Sequence, residues 1–266
     1  MLSKHQTEIL NILNERGTVT VADLAESLGV SLETVRRQVR PLTDNGTVIK
    51  IHGAVGLAGQ VGEAPFQKRM RENADAKRSI ARAVAATIRN GDAIMLDTGT
   101  TTSFVARELM SHRRLTVVTN SSDIARTLAT VNGNTVFMAG GELRSDSGAA
   151  LGNSAIDFIR RFSVSHAIIS AGALDAESGV MDFDLEEAEF ARMVLSRGER
   201  KIVVTDQTKF HRRGLVNVCA FDEVLELFTD ATPPEAFVTN LTAAGTKLIN
   251  VGTAPFTSQP QSVANT

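Results

Sequence analysis

The stretch from Thr20 to Arg37, Thr-Val-Ala-Asp-Leu-Ala-Glu-Ser-Leu-Gly-Val-Ser-Leu-Glu-Thr-Val-Arg-Arg, constrains this chain more than any other. Thr20 caps a first helix, with Asp23 three residues on in a near capping-box pattern. Leu24 and Leu28, four apart, give that helix one apolar face. Gly29 ends it, because glycine tolerates the positive φ of a helix C-terminus. Ser31 caps a second helix whose exposed side carries Thr34, Arg36, Arg37, Gln38 and Arg40. Two short helices around a glycine turn, the second rich in arginine, form the helix-turn-helix that seats its second helix in a DNA major groove. Double-stranded operator DNA is therefore the expected partner. An arginine fork takes two acceptors on guanine and a threonine meets a thymine methyl, so Ser31, Thr34 and Arg36 are assigned nearest the bases. Arg37, Arg40, Lys50 and His52 are assigned to phosphates, and Gln38 is counted with the DNA-binding residues by its place on the exposed face of the helix. The alternative is a solvated arginine face on a protein-binding winged helix.

Charge is local rather than global. The 266 residues carry a formal net charge of only −2. Between Thr34 and His52, however, Arg36, Arg37, Arg40 and Lys50 stand against Asp44 alone. A basic patch on a near-neutral chain suits a site-specific binder better than a non-specific coat. Cys219 is the one cysteine, so no intramolecular disulfide forms and a reducing, cytoplasmic setting is expected. There is no run of about twenty apolar residues and no apolar signal core after Met1, so no membrane association is expected.

Periodicity divides the chain. Residues 4–16, with Ile9, Leu10 and Leu13, predict a helix packed under the other two. Pro41 marks the last turns of the third helix, Asn45-Gly46 a turn, and Thr47–His52 a strand, together the wing of a winged helix. Gly53 to Gly62 is small and glycine-rich and reads as a linker. Ile80, Val84 and Ile88 then mark a helix that Asn90-Gly91 ends. Short apolar runs follow at 93–96, 115–118, 136–139, 167–170, 202–205, 224–228 and 247–251, alternating with helical stretches. That alternation predicts a mainly parallel, Rossmann-like α/β sheet with helices on both faces. The expected divisions are a DNA-binding domain over 1–57, a linker over 58–72, a sensor domain over 73–251 and a disordered tail over 252–266.

A second constellation is Asp97-Thr-Gly-Thr-Thr-Thr102, placed after the run 93–96 and opening a helix. Ligands in open α/β sheets sit at the carboxyl ends of strands, and a glycine loop at a helix N-terminus offers amides to an anion. Asp97 repels phosphate but accepts from hydroxyls, so the loop, with Gly99, Thr100, Thr101 and Thr102, suits a phosphorylated sugar or polyol. The alternative is that the threonines only cap the helix. Similar turns recur at Thr119-Asn120-Ser121, at Gly140-Gly141 with Arg144, at Ser170-Ala-Gly172 and at Asp206–Lys209. Together they would ring a pocket, with Lys209 and Arg144 as the cations for phosphate. Glu186, Glu187 and Glu189 lie on one helix, and a solvated acidic face is the expectation for at least two of them. The five histidines are scattered without metal-ligand spacing, and no Gly-x-Ser-x-Gly, Walker or Gly-x-Gly-x-x-Gly motif is present. Neither metal nor cofactor is expected, and His166 reads as a core or rim residue.

In order and spacing, these residues resemble the DeoR family of bacterial transcriptional regulators over roughly residues 4–251. The marks are Leu28-Gly-Val-Ser-Leu-Glu-Thr-Val-Arg-Arg37, His52-Gly53-Ala54, Asp97-Thr-Gly-Thr-Thr101, Thr119-Asn-Ser121, Gly140-Gly-Glu-Leu-Arg144, Glu187-Ala188 and Asp206-Gln-Thr-Lys-Phe210. Gln38 stands where the family usually has an aspartate. The resemblance implies a winged helix and a sensor domain similar to ribose-5-phosphate isomerase. It also implies repression of a sugar or polyol catabolic operon, release of DNA by a phosphorylated effector, and a homo-oligomer, dimer or tetramer. Asp97, Gly99, Thr100, Thr101, Asn120 and Lys209 would line the effector site. The competing expectation is a sugar-phosphate isomerase or deaminase with an appended DNA-binding module.

Overall fold

The computed structural model describes residues 2–16, 19–51, 54–57, 63–210 and 212–252. Three helices open the chain: α1 (Lys4–Arg16), α2 (Val21–Leu28) and α3 (Leu32–Asp44). Their ends follow from local chemistry. Thr20 accepts the Asp23 N–H, Ser31 accepts the Thr34 N–H, and Gly29 takes a left-handed φ of 63°. Pro41 lies inside α3 without ending it, and the helix runs on to Asp44. The small strand β1 (Val19–Thr20) joins β2 (Val48–Ile51) and β3 (Ala54–Leu57) in an antiparallel sheet ordered β1-β3-β2. Composition reads residues 54–57 as linker; pairing on both edges makes them the central strand of the wing instead. Ile9, Leu13, Leu24, Val35, Val39, Leu42, Val48 and Val55 are fully buried in a core of their own.

Helix α4 (Phe66–Arg71) occupies part of the expected linker, with Phe66 buried. The remaining expected linker residues 58–62, the tail from 253 on and His52 lie outside the described residues. Helix α5 (Ala74–Ala85) follows; it stops before Ile88, which is nevertheless buried.

The second core is a seven-stranded parallel sheet. Its strands are β4 (Ala93–Leu96), β5 (Thr116–Thr119), β6 (Thr135–Met138), β7 (Val164–Ser170), β10 (Gly198–Val204), β12 (Glu226–Thr229) and β13 (Lys247–Asn250). Their order is β13-β12-β10-β7-β4-β5-β6, every neighbouring pair parallel. Residues alternate between the two faces, as the two-residue strand period requires. Ile94, Leu96, Val117, Ile168, Ile202 and Val204 pack against α5, α6 (Thr100–Glu108) and α7 (Ser122–Leu128). Met95, Val118, Ala167, Ile169 and Val203 pack against α8 (Asn153–Ile159), α9 (Leu185–Ser196) and α10 (Glu235–Ala243). The result is a three-layer α/β/α sandwich of doubly wound type. A small antiparallel sheet, β8 (Ala173–Asp175), β9 (Gly179–Asp182) and β11 (Val216–Cys219), was not foreseen; its short strands do not alternate with helices as those of the parallel sheet do.

Candidate functional site

On α3 the helical repeat separates the sequence-assigned residues into two sets. Arg36, Arg37 and Arg40 are exposed and share one open face with Glu33, and Lys50 of β2 and Val21 of α2 border the same groove. Arg36 meets Glu33 at 4.0 Å, an exposed pair that contributes little stability and leaves the guanidinium available. Ser31 and Thr34 lie at the start of the helix, their hydroxyls 2.9 Å apart. Gln38 differs from expectation. Its side chain accepts from Ser3 Oγ at 2.8 Å and its backbone carbonyl meets Gln6 Nε2, so it faces the N-terminal end of α1 rather than the arginine groove.

The second site lies where the sheet changes direction. From β4 the chain proceeds outward through β5 and β6, then returns to lay β7 on the other flank of β4. Such a switch point leaves a crevice beyond the carboxyl ends of the two strands. Asp97 spans it. Its N–H donates to Ile168 O at 3.2 Å, and its Oδ2 accepts the Ser170 N–H at 3.0 Å. Asp97 is 5% exposed, and its Oδ1 is buried without a hydrogen-bond partner among the described residues, as is Asn120 Oδ1. Each is an acceptor open to a donor from outside the chain, water or ligand. Burial pushes Asp97 well above the usual carboxylate range against the Ser170 N–H bond, with the charges of Asp182 and Glu187 adding to the rise.

The loop around Asp97 is tight. A Cβ on Gly99 would sit 1.9 Å from Ser170 Oγ, so only glycine fits. Thr100 and Thr101 are buried in the first turn of α6, where helix amides lack intrahelical acceptors. Thr102, by contrast, turns its hydroxyl back onto the carbonyls of Asp97 and Gly99, both at 3.1 Å. At the end of β5, Thr119 Oγ1 accepts from Ser121 N, Ser121 caps α7, and Asn120 Nδ2 donates to Ala150 O at 2.9 Å. These hydroxyls therefore build the turn. Gly141 and Gly172 also bound loops on this edge, and a Cβ at Gly172 would come within 3.1 Å of Asp182 Oδ2.

Arg144 is engaged by carboxylates of the same edge. Expected as a phosphate cation, it is held by Asp184 at 2.8 Å, Glu186 at 2.7 Å and Glu187 at 3.3 Å. Burial opposes its charge, but the hydrogen bonds to Asp184 and Glu186 outweigh that and raise its pKa. Glu186 and Glu189 are exposed, as expected of two of the three glutamates on this helix, while Glu187 is half-buried; Glu186 and Glu187 both hold this arginine. Glu187 is pushed up to about 8 by burial, then by the charges of Asp182 and Glu63. Asp182 is raised to about 6, again chiefly by burial.

Lys209 lies in the turn after β10 and pairs with Glu63. Asp206 Oδ1 accepts from the Thr208 N–H and from Asn73 Nδ2 at 3.3 Å, so it organises this turn. Around them opens a cleft of about 320 Å³, lined among others by Arg69, Lys77, Asp206, Lys209 and Arg212. Glu63, Arg69, Lys77 and Asp182 were not foreseen: nothing in their local sequence marks them, because folding alone brings them to this edge. His166 sits in β7 beside Ile94 and Arg200, near the opposite ends of the strands, with Nδ1 3.0 Å from Ser165 Oγ.

The family model of the DeoR-like helix-turn-helix domain matches residues 5–61, and that of the DeoR C terminal sensor domain matches residues 72–231. The HTH-type transcriptional repressor CsqR of Escherichia coli (strain K12) is 34% identical over 234 residues, 88% of this chain and 90% of that protein. The glycerol-3-phosphate regulon repressor of the same organism is 32% identical over 234 residues, 88% of this chain and 93% of that protein. Among solved structures, ribose 5-phosphate isomerase A from Methanocaldococcus jannaschii aligns with a TM-score of 0.40 and 16% identity, covering 53% of this chain and 56% of that one. With both family models matched in order and relatives aligned over most of its length, the chain belongs to the DeoR family of transcriptional regulators.

Proposed function

We propose that this protein is a transcriptional repressor of a sugar or polyol catabolic operon, and that a phosphorylated sugar or polyol releases it from its operator. The reader is the α3 groove: Arg36 with Ser31 and Thr34 toward the bases, Arg37, Arg40 and Lys50 toward phosphates. The sensor is the β4/β7 crevice, with Asp97, Gly99, Thr100, Thr101 and Asn120 against the hydroxyl-bearing part of the effector and Lys209 against its phosphate. One observation carries this reading. The carboxyl edge of the sheet carries a buried Asp97 with an orphaned oxygen and, at the turn after β10, a cationic cleft, in the same chain as an open arginine groove. Burial favours the neutral form of this carboxyl, and a neutral carboxyl donates to, as well as accepts from, a hydroxyl. The name of the glycerol-3-phosphate regulon repressor adds support for this effector class. The active species is a cytoplasmic homo-oligomer, a dimer or tetramer, since operator half-sites match protein symmetry.

The test is gel retardation of the DNA immediately upstream of its own gene, with a panel of phosphorylated sugars and polyols including glycerol 3-phosphate. Retardation that beats random competitor and is relieved by one panel member is expected. A coupling of roughly 1–3 kcal/mol gives about 5–150-fold relief. Equal retention of random DNA, across ionic strengths, would overturn the reading.

A further inference from the structure

Glu63 belongs to the stretch that joins the two halves of the chain, yet its carboxylate is sunk into the sensor edge. One oxygen takes the Lys209 ammonium and the other the Arg69 guanidinium. The three side chains are 13%, 12% and 15% exposed, so water is largely absent and the contacts are weakly screened. Burial alone would raise the Glu63 pKa; Lys209 and Arg69 outweigh it and hold the carboxyl down at about 2. An acidic oxygen gripped by a lysine and an arginine is the arrangement that also binds a phosphate monoester. The seat is therefore an anion site already filled by the chain itself.

The segment after Glu63 reaches the DNA-binding half. Arg69, the second grip on Glu63, is part of α4, and its Nε also donates to Ala64 O at 2.8 Å. Lys68, on the same helix, donates to Asn45 O at 3.3 Å and Gly46 O at 3.4 Å, in the turn between α3 and β2. Pro65 packs so close to that turn that a Cβ on Gly46 would lie 2.8 Å from its Cδ. From the other side, the Phe66 N–H is bound by the Asp146 carboxylate and the buried Lys77 donates to Arg69 O and Glu72 O. Helix α4 is thus a strut between the recognition-helix turn and the sensor, and Glu63 is its anchor.

We infer that Glu63 is a tethered internal anion occupying the phosphate seat of Lys209 and Arg69 in the DNA-binding form, and that the effector phosphate displaces it. This deepens the proposed function and rests on its phosphorylated effector. Loss of the anchor frees α4 and its hold on the α3–β2 turn, so occupancy of the sensor is read directly by the DNA-binding half.

The experiment uses the full-length protein, with inorganic phosphate and glycerol 3-phosphate as probes in calorimetry. A tethered competitor lowers apparent affinity through its effective concentration, so Glu63→Gln is expected to bind both probes about tenfold or more tightly than the wild type. Glu63→Asp, which keeps the charge on a shorter stem, should fall between. Hydrogen exchange at residues 63–72 of the wild type should accelerate when phosphate saturates. Affinity of Glu63→Gln equal to or below that of the wild type overturns the tethered anion and leaves the effector reading standing. Binding of neither probe to either protein overturns the seat, and release of DNA in the sugar-phosphate panel then decides separately for the repressor. Should Glu63→Gln fail to fold, the wild-type exchange decides: unchanged protection over 63–72 at saturating phosphate overturns the inference.

Discussion

The Ser170 N–H donates to Asp97 Oδ2 at 3.0 Å, across the boundary where β4 and β7 lie side by side although 73 residues separate the two groups in sequence. This bond fixes one carboxylate oxygen and leaves the other buried in the crevice at the switch point.

The protonation of Asp97 has a stability signature. Its native pKa lies well above the ordinary 3.8, so between those values the folded chain binds more protons than the unfolded one. Stability must fall as pH rises through that window. Glu187 adds the same slope between 4.5 and about 8. Asp97→Asn is neutral at every pH and is expected to flatten part of this dependence and to raise Tm at pH 7–8 by a few degrees, since roughly 1 kcal/mol moves Tm by about 2–4 °C at this size. Thermal scans from pH 4 to 9 check it; superimposable profiles for variant and wild type refute a buried protonated Asp97.

Gly99 tests the sensor crevice by space. An added methyl meets Ser170 Oγ at 1.9 Å and Ser170 Cβ at 2.8 Å. Gly99→Ala must push apart the loop and the end of β7. The effector concentration for DNA release should rise at least tenfold, about 1.4 kcal/mol, with operator affinity within twofold of wild type. Unaltered release places the effector elsewhere.

The arginine groove predicts a division of labour. Arg36→Ala should cost about 1–3 kcal/mol of operator binding and relax discrimination at one base position. Lys50→Ala should weaken all sequences alike and reduce the salt slope by about 1. Gln38→Ala should change little, because that side chain engages Ser3. Competition gels at several salt concentrations separate the three. A large Gln38 effect with a silent Arg36 would reverse the assignment.

Arg144 is expected to act in stability and not in recognition. Arg144→Ala leaves Asp184, Glu186 and Glu187 facing one another. At a half-exposed site the loss should be about 1 kcal/mol, and added salt should restore part of it by screening. Release of DNA by effector should stay within twofold of wild type. A tenfold loss of response would return Arg144 to the phosphate.

Helix starts and stops were legible because they are decided within four residues. Thr20 with Asp23, Ser31 with Thr34, and Gly29 in its left-handed turn each do what their spacing predicts. The parallel sheet was legible because apolar runs recur between amphipathic helices. Ala93–Leu96 was placed to the residue and the other strands within a few positions. Strand β3 was not: Ala54-Val-Gly-Leu57 has too little bulk to read as a strand and becomes one by pairing with β1 and β2.

By itself, the sequence determined which segments are helix or strand and where the hydroxyl- and glycine-rich turns fall, since caps, turns and periodicity are short-range. Tertiary structure decided which charges distant in sequence meet. Lys209 finds Glu63 across 146 residues, Arg144 finds Asp184 across 40, and Gln38 turns to Ser3 across 35. For groups so far apart along the chain, a Coulomb partner is chosen by distance in space and by the water excluded around it, and neither is written in residue spacing.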